Sequence, residues 1–541
     1  MSRHLKISLW LLWLLAVVWP WTGLPWRGLS IPAGALLLIL GLALSFSRRW
    51  QDRARAAADG LDAVDPGRAA WPLAGLFFVW LASLKLCQYA SFQSHYGDLG
   101  QDANICWNTL QGLPFFDSLT GTNFLGDHFE PVLAVCALAF KVWPSPAALL
   151  LIQCLALAAA VVPLIGLARR ASRRNALVLA AALLFMLNPF LHLVSEFDFH
   201  PEALFIPAAF WALLFWEQGR LWPAALVVLP CLAFKEDVPL ALAAFGVYAG
   251  LWGDSPRRRR AGWVLAAFAL AAFAVIVLKV IPHFAGSRVS VHHDRYVSLG
   301  TSAGEMIRNI LLHPWVVPLR LLRPGVVGAW AALLGSAAFL PLAAPAALVP
   351  VLGACLHHLL SDYRSQYSLV SQYSAQTLPF LFYAALKGLT LCEDRVWQKR
   401  GRLAAGFVFL CAVLAAFQPF YTGPFKWRNV LEAAALVRQV PDGASLAADG
   451  GRGLGREDLL PHLALRTGLS QFDAARPFQE PSARYVLLSP DRSAAYAAAL
   501  AKTGRYRRIG SGDGLELWSR QEEHGQVAAG DDAPALPGPR R

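Results

Sequence analysis

Acidic, histidine and amide residues that could take part in proton transfer are concentrated in a few polar segments between long apolar runs. The longest such segment, residues 91–130, contains Asp98 and Asp102. They are four residues apart, so a helix would place both carboxylates on one face. His128 and Glu130 close the same segment. Carboxylates and imidazoles are the usual proton donors and acceptors in enzymes, so this segment is a candidate site of acid–base chemistry.

Two further polar clusters interrupt apolar runs with almost no spacer, which predicts that they lie at the membrane boundary. The string SEFDFHPE contains Asp198, His200 and Glu202. The string Lys235-Glu236-Asp237 lies between two short apolar runs. Charges at that depth are costly unless they are paired or functional. Lys235 is therefore either part of a structural ion pair with Glu236 or Asp237, or a phosphate-binding residue.

Two later segments add further polar candidates. One holds His292, His293 and Arg295, and the other, from Asp362 to Ser374, holds Arg364 and Tyr373. Any one of these polar residues could also be an ordinary solvated loop residue.

Four histidines, His128, His200, His292 and His293, could bind a metal ion together with the acids. No HExxH or similar spacing supports this, so the sequence identifies no metal ligands and leaves open a divalent cation such as Mg²⁺ or Mn²⁺. The absence of a glycine-rich phosphate loop and of a GxSxG motif disfavours a nucleotide-driven pump and a serine hydrolase.

Composition places these clusters in a membrane protein. Of the 541 residues, 56% are hydrophobic and only 15% are charged, against about 25% in a typical soluble protein. Several apolar runs approach the roughly 20 residues that a helix needs to cross a bilayer. The net charge of +13 comes from short basic clusters between those runs. This pattern is typical of topology determinants rather than of nucleic-acid binding.

The apolar runs predict about thirteen transmembrane helices. Their expected bounds are 7–22, 30–46, 72–90, 147–168, 176–192, 203–217, 222–234, 238–252, 262–282, 326–342, 345–360, 375–391 and 404–421. The segment 131–143 is too short for a typical span, and we interpret it as an outer-surface or re-entrant helix. This arrangement places every Lys/Arg-rich loop, and with them the N-terminus, on the cytoplasmic side. The polar clusters and the C-terminus then lie on the extracytoplasmic side.

The pattern predicts four parts of the chain. Residues 1–71 form a transmembrane hairpin and a basic cytoplasmic loop, 72–421 the main membrane domain, 422–520 a small soluble α/β domain, and 521–541 a disordered tail. Strands are expected at 444–448 and 485–489, a helix at 493–502, and a hairpin about a Gly-Asp-Gly turn in YRRIGSGDGLELWSR.

Several strings together resemble a known family. DLGQDANICWNTLQGLPFF, NFLGDHFEPVL, NPFLHLVSEFDFHPEAL, LAFKEDVPLALAAFGVY and QYSAQTLPFLF are similar to the bacterial and archaeal membrane family called domain of unknown function 2079, over roughly residues 75–490. The family commonly has an Asp-Gln pair before the Trp-Asn of the first loop. Here that pair is replaced by Ala103-Asn104, with Asp102 one residue earlier, whereas Asp98 fits the pattern.

The layout of that family resembles the GT-C superfamily of membrane glycosyltransferases. The resemblance implies a multi-pass protein of the bacterial or archaeal cytoplasmic (inner) membrane that transfers a sugar from a polyprenyl-phosphate donor to an envelope glycan, lipid or protein. It implies Asp98 as the general base, with Asp102 as the second choice. The other polar residues named above would bind substrate. The alternatives are a lipid or polar-solute transporter or flippase, and a non-catalytic membrane scaffold.

Overall fold

The computed structural model describes residues 46–94, 97–286, 291–404, 427–449, 460–472, 477–488, 490–512 and 515–521, with isolated positions in 13–21 and 406–410. The predicted spans 7–22, 30–46 and 404–421 and the predicted tail 521–541 lie almost wholly outside these residues. The chain forms two compact units. The first unit comprises Met1–Lys85, Leu125–Pro131 and Leu151–Pro424, and the second comprises Leu86–Phe124, Val132–Leu150 and Phe425–Arg541.

The described residues of the first unit form helices joined by turns and loops. Its α-helices are Arg48–Asp62, Pro66–Ala90, Ala147–Ala159 (which enters this unit at Leu151), Val161–Ala171, Asn175–Met186, Pro189–Glu196, Phe205–Glu217, Leu221–Cys231, Val238–Trp252, Pro256–Val275, Ile281–Ala285, Ala303–Leu312, Val316–Leu321, Pro324–Ser336, Leu348–Leu360, Arg364–Tyr367 and Thr377–Gln398. A π-helix spans Ile276–Val280, and 3₁₀ turns span Pro201–Leu204, Val291–Tyr296, Leu340–Ala343, Pro345–Ala347 and Ser371–Ser374.

Four helical stretches among the described residues are long and apolar enough to cross a membrane: Pro66–Ala90, Ala147–Ala171, Asn175–Glu196 and Pro256–Ala285. Each overlaps a predicted span, so the prediction of an all-α multi-pass protein is confirmed. Shorter apolar helices also match predicted spans, at Leu221–Cys231, Val238–Trp252, Pro324–Ser336 and Pro345–Leu360.

Proline and asparagine set several helix boundaries. The predicted span 203–217 is a regular helix only from Phe205, because the preceding segment Pro201–Leu204 forms a 3₁₀ turn. The predicted span 176–192 is interrupted at Asn188, whose side-chain oxygen accepts hydrogen bonds from Phe190 N and Leu191 N. Such a cap, followed by Pro189 in the first helical turn, begins a new helix.

Two neighbouring helices of the first unit, Val238–Trp252 and Pro256–Val275, pack closely through small residues. A Cβ atom at Gly246 would lie 2.6 Å from Ala266 N, and one at Gly262 would lie 2.4 Å from Gly250 N. Such contacts require the absence of a side chain. Small residues let helices of a membrane protein approach in this way.

Basic residues from several predicted cytoplasmic loops meet at one end of the first unit. Arg170 and Arg258 both donate to the Glu217 carbonyl oxygen, over 2.8 and 3.0 Å. A few residues along the chain from Arg170, Arg174 lies 3.8 Å from Asp62. The clusters around 170, 217 and 258 are therefore neighbours, as the topology argument expects.

The second unit contains a five-stranded sheet in the C-terminal region. Its strands, in spatial order, are Leu469–Phe472, Leu446–Asp449, Tyr485–Leu488, Leu515–Arg520 and Tyr506–Gly512. The first three strands are parallel and the last two are antiparallel to their neighbours. The predicted strands and the predicted hairpin are present, whereas the strand Leu469–Phe472 was not predicted.

Helices cover both faces of this sheet. Trp427–Arg438 packs on one face, where Leu436 contacts an apolar cluster that includes Leu487. Pro490–Lys502 packs on the other face through Tyr496, against Val486. Successive strand residues point to opposite faces, and both faces are buried in this way. The prediction of a small α/β region is confirmed.

The C-terminal segment of the second unit also contains the short helix Leu460–Leu463, and the other elements of this unit lie in its N-terminal segments. They are the helices Asp98–Leu110 and Leu133–Cys136, the 3₁₀ helix Ala137–Lys141 and the two-stranded hairpin Phe116–Asp117 with Thr122–Asn123. The segment 131–143 therefore forms only short helical pieces.

Candidate active site

Lys235 is the centre of a buried polar cluster in the first unit. Its Nζ lies 2.5 Å from Glu202 Oε1 and 3.1 Å from Glu130 Oε1. Both glutamates are buried. Burial disfavours the ammonium group, but the carboxylates of Glu202 and Glu130 outweigh this effect and hold the pKa of Lys235 well above its usual range. Lys235 is therefore a fixed positive charge that joins two distant segments of the chain.

Glu236, the next residue, holds the segment around His128. His128 Nδ1 lies 2.9 Å from Glu236 Oε1, and Phe129 N donates to Glu236 Oε2 over 3.0 Å. Burial opposes protonation of His128, but the Glu236 carboxylate outweighs it and raises the pKa of His128 to about 9. His128 is therefore an imidazolium at neutral pH, paired with an ionised Glu236.

Asp237 completes the tripeptide by binding a third part of the chain. His357 Nε2 lies 3.0 Å from Asp237 Oδ2, and Gln376 Nε2 donates to Asp237 Oδ1. Burial would raise the pKa of Asp237, but the His357 contact holds it below its usual range. Lys235 and Glu236 thus both bind the segment 128–130, and Asp237 binds two later parts of the chain. The partners of Lys235 are Glu130 and Glu202 rather than its own chain neighbours.

Glu130 is a buried acid of this cluster whose pKa lies close to neutral. Burial raises the pKa of Glu130 to about 7, against the opposing effect of Lys235 and together with the repulsion of Glu202. Such a carboxyl group exchanges its proton near physiological pH. This is the property expected of a group that acts as an acid or base.

The helix ends explain why these residues meet. Glu202 precedes the helix Phe205–Glu217, Asp237 precedes Val238–Trp252, and Gln376 precedes Thr377–Gln398. The same helices run on toward basic segments, with Glu217 bound to Arg170 and Arg258 at the far end of the first of them. Acids and arginines therefore lie at opposite ends of the helices.

A second buried ion pair, between Lys85 and Asp198, involves the segment that also contains Glu202. Lys85 Nζ is 3.8 Å from Asp198 Oδ1 and donates to the Glu196 carbonyl oxygen over 2.7 Å. Gln153 binds the same segment, because its Nε2 donates to Asp198 O over 2.7 Å and its Oε1 accepts from His200 N over 2.8 Å. Predicted site residues Asp198 and His200 are thus fixed in the bundle by two helices.

The other predicted site residues of the first unit are Arg295, Arg364, Tyr373, His292 and His293. The Arg295 guanidinium lies 5.5 Å from the centre of the Tyr363 ring, and Arg364 is exposed. Burial raises the pKa of Tyr373, while Arg295 and Lys235 oppose the shift, so its hydroxyl feels both cations. The side chains of His292 and His293 lie outside the described residues.

The predicted catalytic acids are in the second unit. Asp98 is the first residue of the helix Asp98–Leu110 and is partly exposed, whereas Asp102 is buried one turn later. One helix thus carries both acids.

The Asp98 helix is bound by the C-terminal region of the same unit. Asn104 Nδ2 donates to the carbonyl oxygens of Ala464 and Arg466, both over 2.9 Å. Gly100 packs so closely on Leu460 that a Cβ atom would lie 2.8 Å from Leu460 Cβ.

Asp117 is another acid of this unit, but its surroundings indicate a structural role. It is buried and accepts hydrogen bonds from Gln101 Nε2, Leu119 N and Thr120 Oγ1. These contacts fix the hairpin rather than offer a carboxylate to a substrate.

Sequence reasoning missed His357, His358 and Gln376, since they lie within or beside predicted spans. The available signal was a pair of histidines in the last turn of an apolar run, close to the predicted extracytoplasmic boundary. Among the described residues, neither His128 nor His200 joins a group of three close potential metal ligands, whereas His357 and His358 do.

Comparison with known proteins gives a family and a distant structural likeness. The sequence profile of the family described as "Predicted membrane protein (DUF2079)" matches residues 88–517. No curated protein matches the chain. ArnT from Cupriavidus metallidurans bound to undecaprenyl phosphate has a TM-score of 0.45 and 11% identity, over 83% of this chain and 98% of that chain. Its apo form has a TM-score of 0.42 and 11% identity, over 82% and 97%. At this level the likeness says nothing about the reaction of this chain.

Proposed function

Because the chain belongs to the DUF2079 family of membrane proteins, we propose that it acts in the bilayer as a glycosyltransferase of the GT-C type. It moves a sugar from a polyprenyl-phosphate donor to an acceptor on the extracytoplasmic face of the cytoplasmic membrane. The family resemblance of the first loop and of the GDHFEP, FDFHPE and KED strings suggests this activity.

One observation carries the proposal: polar residues from distant segments converge on Lys235, Glu236 and Asp237. Glu130, Glu202 and His357 are separated by tens to hundreds of residues, yet each lies within 3.1 Å of this tripeptide. A scaffold has no need to gather buried acids, a lysine and histidines at one end of a helix bundle. A reaction that moves protons and develops charge does.

The reaction needs a base for the acceptor. The acceptor oxygen attacks the anomeric carbon, its bond to that carbon forms as the bond from the carbon to the phosphate oxygen breaks, and its proton passes to a carboxylate. We assign this role to Asp98, which is partly exposed at the start of its helix, with Asp102 as the second choice. The C-terminal residues bound to that helix would border the acceptor.

The leaving lipid phosphate needs positive charge. Lys235 can supply it, because burial raises the pKa of Glu130 to about 7, so that Glu130 can take up a proton and give up its contact with the ammonium group while Glu202 keeps the lysine in place. Arg295 and Arg364 are further candidates for phosphate contacts. His128, His200 and Glu202 would orient the sugar, and apolar walls between helices would hold the polyprenyl chain.

A lipid or solute carrier is the second candidate, and a specific observation favours it. Lys85 lies inside the long apolar helix Pro66–Ala90 and is paired with the buried Asp198. Ionisable residues within a bundle often mark a transport path. A carrier moves a lipid-linked sugar without breaking its glycosidic bond, whereas a transferase separates the sugar from the lipid.

Mass spectrometry of lipid-linked sugars and envelope glycans, in cells with and without the intact protein, tests whether the protein acts on a lipid-linked sugar. Conversion of that lipid to polyprenyl phosphate by the protein in detergent, which a carrier does not perform, separates the two functions. A transferase predicts that the deletion strain accumulates one polyprenyl-phosphate sugar and lacks one sugar from an envelope component. Unchanged lipid and glycan profiles would contradict the proposal.

A further inference from the structure

Asp237, His357 and His358 form a compact group of metal-ligating side chains. Each offers one ligand atom, and these atoms all lie within 4.8 Å of one another. Asp237 Oδ2 and His357 Nε2 are 3.0 Å apart. Ligands bound to one metal ion at about 2.0–2.2 Å are separated by a similar distance.

The two histidines are oriented in an unusual way for chain neighbours. Consecutive residues of a helix point in different directions, yet the rings of His357 and His358 have their centres 3.7 Å apart. Two imidazoles that converge on a carboxylate give the N₂O donor set used by zinc and by non-haem iron sites.

Polar atoms in and beside this group of three residues indicate that a ligand binds there. Gln376 Oε1 and His357 Nδ1 are buried with no hydrogen-bond partner. Buried polar atoms without partners are rare and call for an unseen water or ion. Gln376 is 3% exposed and already touches Asp237 through its amide nitrogen, so its amide oxygen is close to the same place.

Gln366 can orient His358 for metal binding. Its side-chain amide lies 3.0 Å from His358 Nδ1 and 3.0 Å from the Tyr296 hydroxyl. Amide nitrogen and oxygen exchange places by a half-turn of the group. With the oxygen toward His358, Nδ1–H donates to Gln366 and Nε2 is left for a metal, which is the usual outer support of a histidine ligand.

We propose that Asp237, His357 and His358 bind a divalent transition-metal ion of the zinc class, with a further coordination position open beside Gln376. Two imidazoles select such an ion over Mg²⁺, which prefers oxygen ligands. Asp237 and His357 belong to the cluster that carries the sugar-transfer proposal, but metal binding is measured without any reaction, so either proposal can fail without the other.

The test is metal binding by the full-length protein, purified in detergent without a histidine tag and stripped with a chelator. After incubation with Zn²⁺ and desalting, elemental mass spectrometry should find about one Zn²⁺ per chain, and the thermal midpoint should rise. Mg²⁺ at the same concentration should leave the midpoint unchanged. His357→Gln and His358→Gln should lose the bound Zn²⁺ and the rise.

The matched control is His313→Gln, since His313 is an exposed histidine apart from the cluster. It should bind Zn²⁺ as the wild type does. Size-exclusion profiles and the thermal midpoint without metal identify variants that fail to fold. Zn²⁺ binding is then compared between the wild type and whichever histidine variant folds. Equal Zn²⁺ binding by wild type and a folded His357 or His358 variant would overturn the proposal, as would the absence of Zn²⁺ from the wild type.

Discussion

At the scale of single residues, loss of the Lys235 side chain should destabilise the fold. Lys235→Met leaves Glu130 and Glu202 buried together without a cation. Removing one partner of a buried ion pair costs about 3–5 kcal/mol of the free energy of unfolding. We expect a lower thermal midpoint in detergent, partly restored when Glu202→Gln is added.

Lys387→Met is the matched control for Lys235→Met. Lys387 lies 2.9 Å from Glu217, but its side chain is 35% exposed, so water can replace the lost contact and the effect should be small. Equal losses for the two variants would contradict the role of Lys235 as the buried centre of the cluster.

The ion pair of His128 and Glu236 should make stability depend on pH. The pKa of His128 is raised to about 9, against about 6.5 in an unfolded chain. The folded state therefore holds a proton that the unfolded state releases. The stabilisation is complete below about pH 6.5 and is lost as the pH rises through about 9.

The thermal midpoint of the wild type should therefore fall between pH 7 and pH 9 by more than that of His128→Gln. The exposed His313→Gln should behave like the wild type. If His128→Gln shows the same fall as the wild type over this range, the charged pair does not form.

The polar clusters could be predicted residue by residue, but their pairing could not. The sequence makes Lys235, Glu236 and Asp237 conspicuous because they interrupt an apolar region. It cannot show that Lys235 binds Glu130 and Glu202, since those contacts depend on how helices pack. His357 was not predicted as a site residue, because a histidine in an apolar run is usually a core residue.

At the scale of elements, the helix hairpin Val238–Trp252 with Pro256–Val275 positions Asp237 at its start. Gly246→Ala would bring a Cβ atom to 2.6 Å from Ala266 N, which forces the two helices apart. We expect a lower thermal midpoint and weaker contacts of Asp237 with His357 and Gln376. The same change at Gly328 meets no atom within 4 Å and should be neutral or stabilising, because alanine favours a helix by about 0.5–1 kcal/mol.

Thermal unfolding of the two alanine variants side by side measures this contrast. A Gly246→Ala protein as stable as Gly328→Ala would show that the helices are not in close contact.

Elements with strong local signals were predicted correctly from sequence. The helix Pro490–Lys502 and the strands of the hairpin carry clear periodicity, and the structure has them within a few residues of the expected bounds. The strand Leu469–Phe472 carries no such signal. It is a strand because it pairs with Leu446–Asp449, which is a tertiary effect.

At the scale of the whole molecule, composition and loop charge predicted a multi-pass helical protein with a small α/β region, and the structure has both. The arginine-rich loops near Arg170 and Arg258 meet at one end of the first unit, while Lys235 and its acids lie at the other ends of the same helices. Hydropathy could predict that charged residues lie at the two ends of the helices, because charges are costly inside the apolar part of a membrane. The reaction depends on which side chains are in contact, and hydropathy does not predict those contacts.

The most direct test of the glycosyltransferase proposal uses the purified protein and the detergent-solubilised cell envelope of a strain that lacks it, which contains both the donor lipid and the acceptor. Mass spectrometry should show that the wild type consumes one polyprenyl-phosphate sugar and releases an equal amount of polyprenyl phosphate. Asp98→Asn should fold and insert normally but leave that lipid intact, whereas Asp442→Asn, at an exposed aspartate of the same unit, should behave like the wild type. Lipid-linked sugars that remain unchanged with the wild type would contradict the account, and full activity of Asp98→Asn would remove Asp98 as the base.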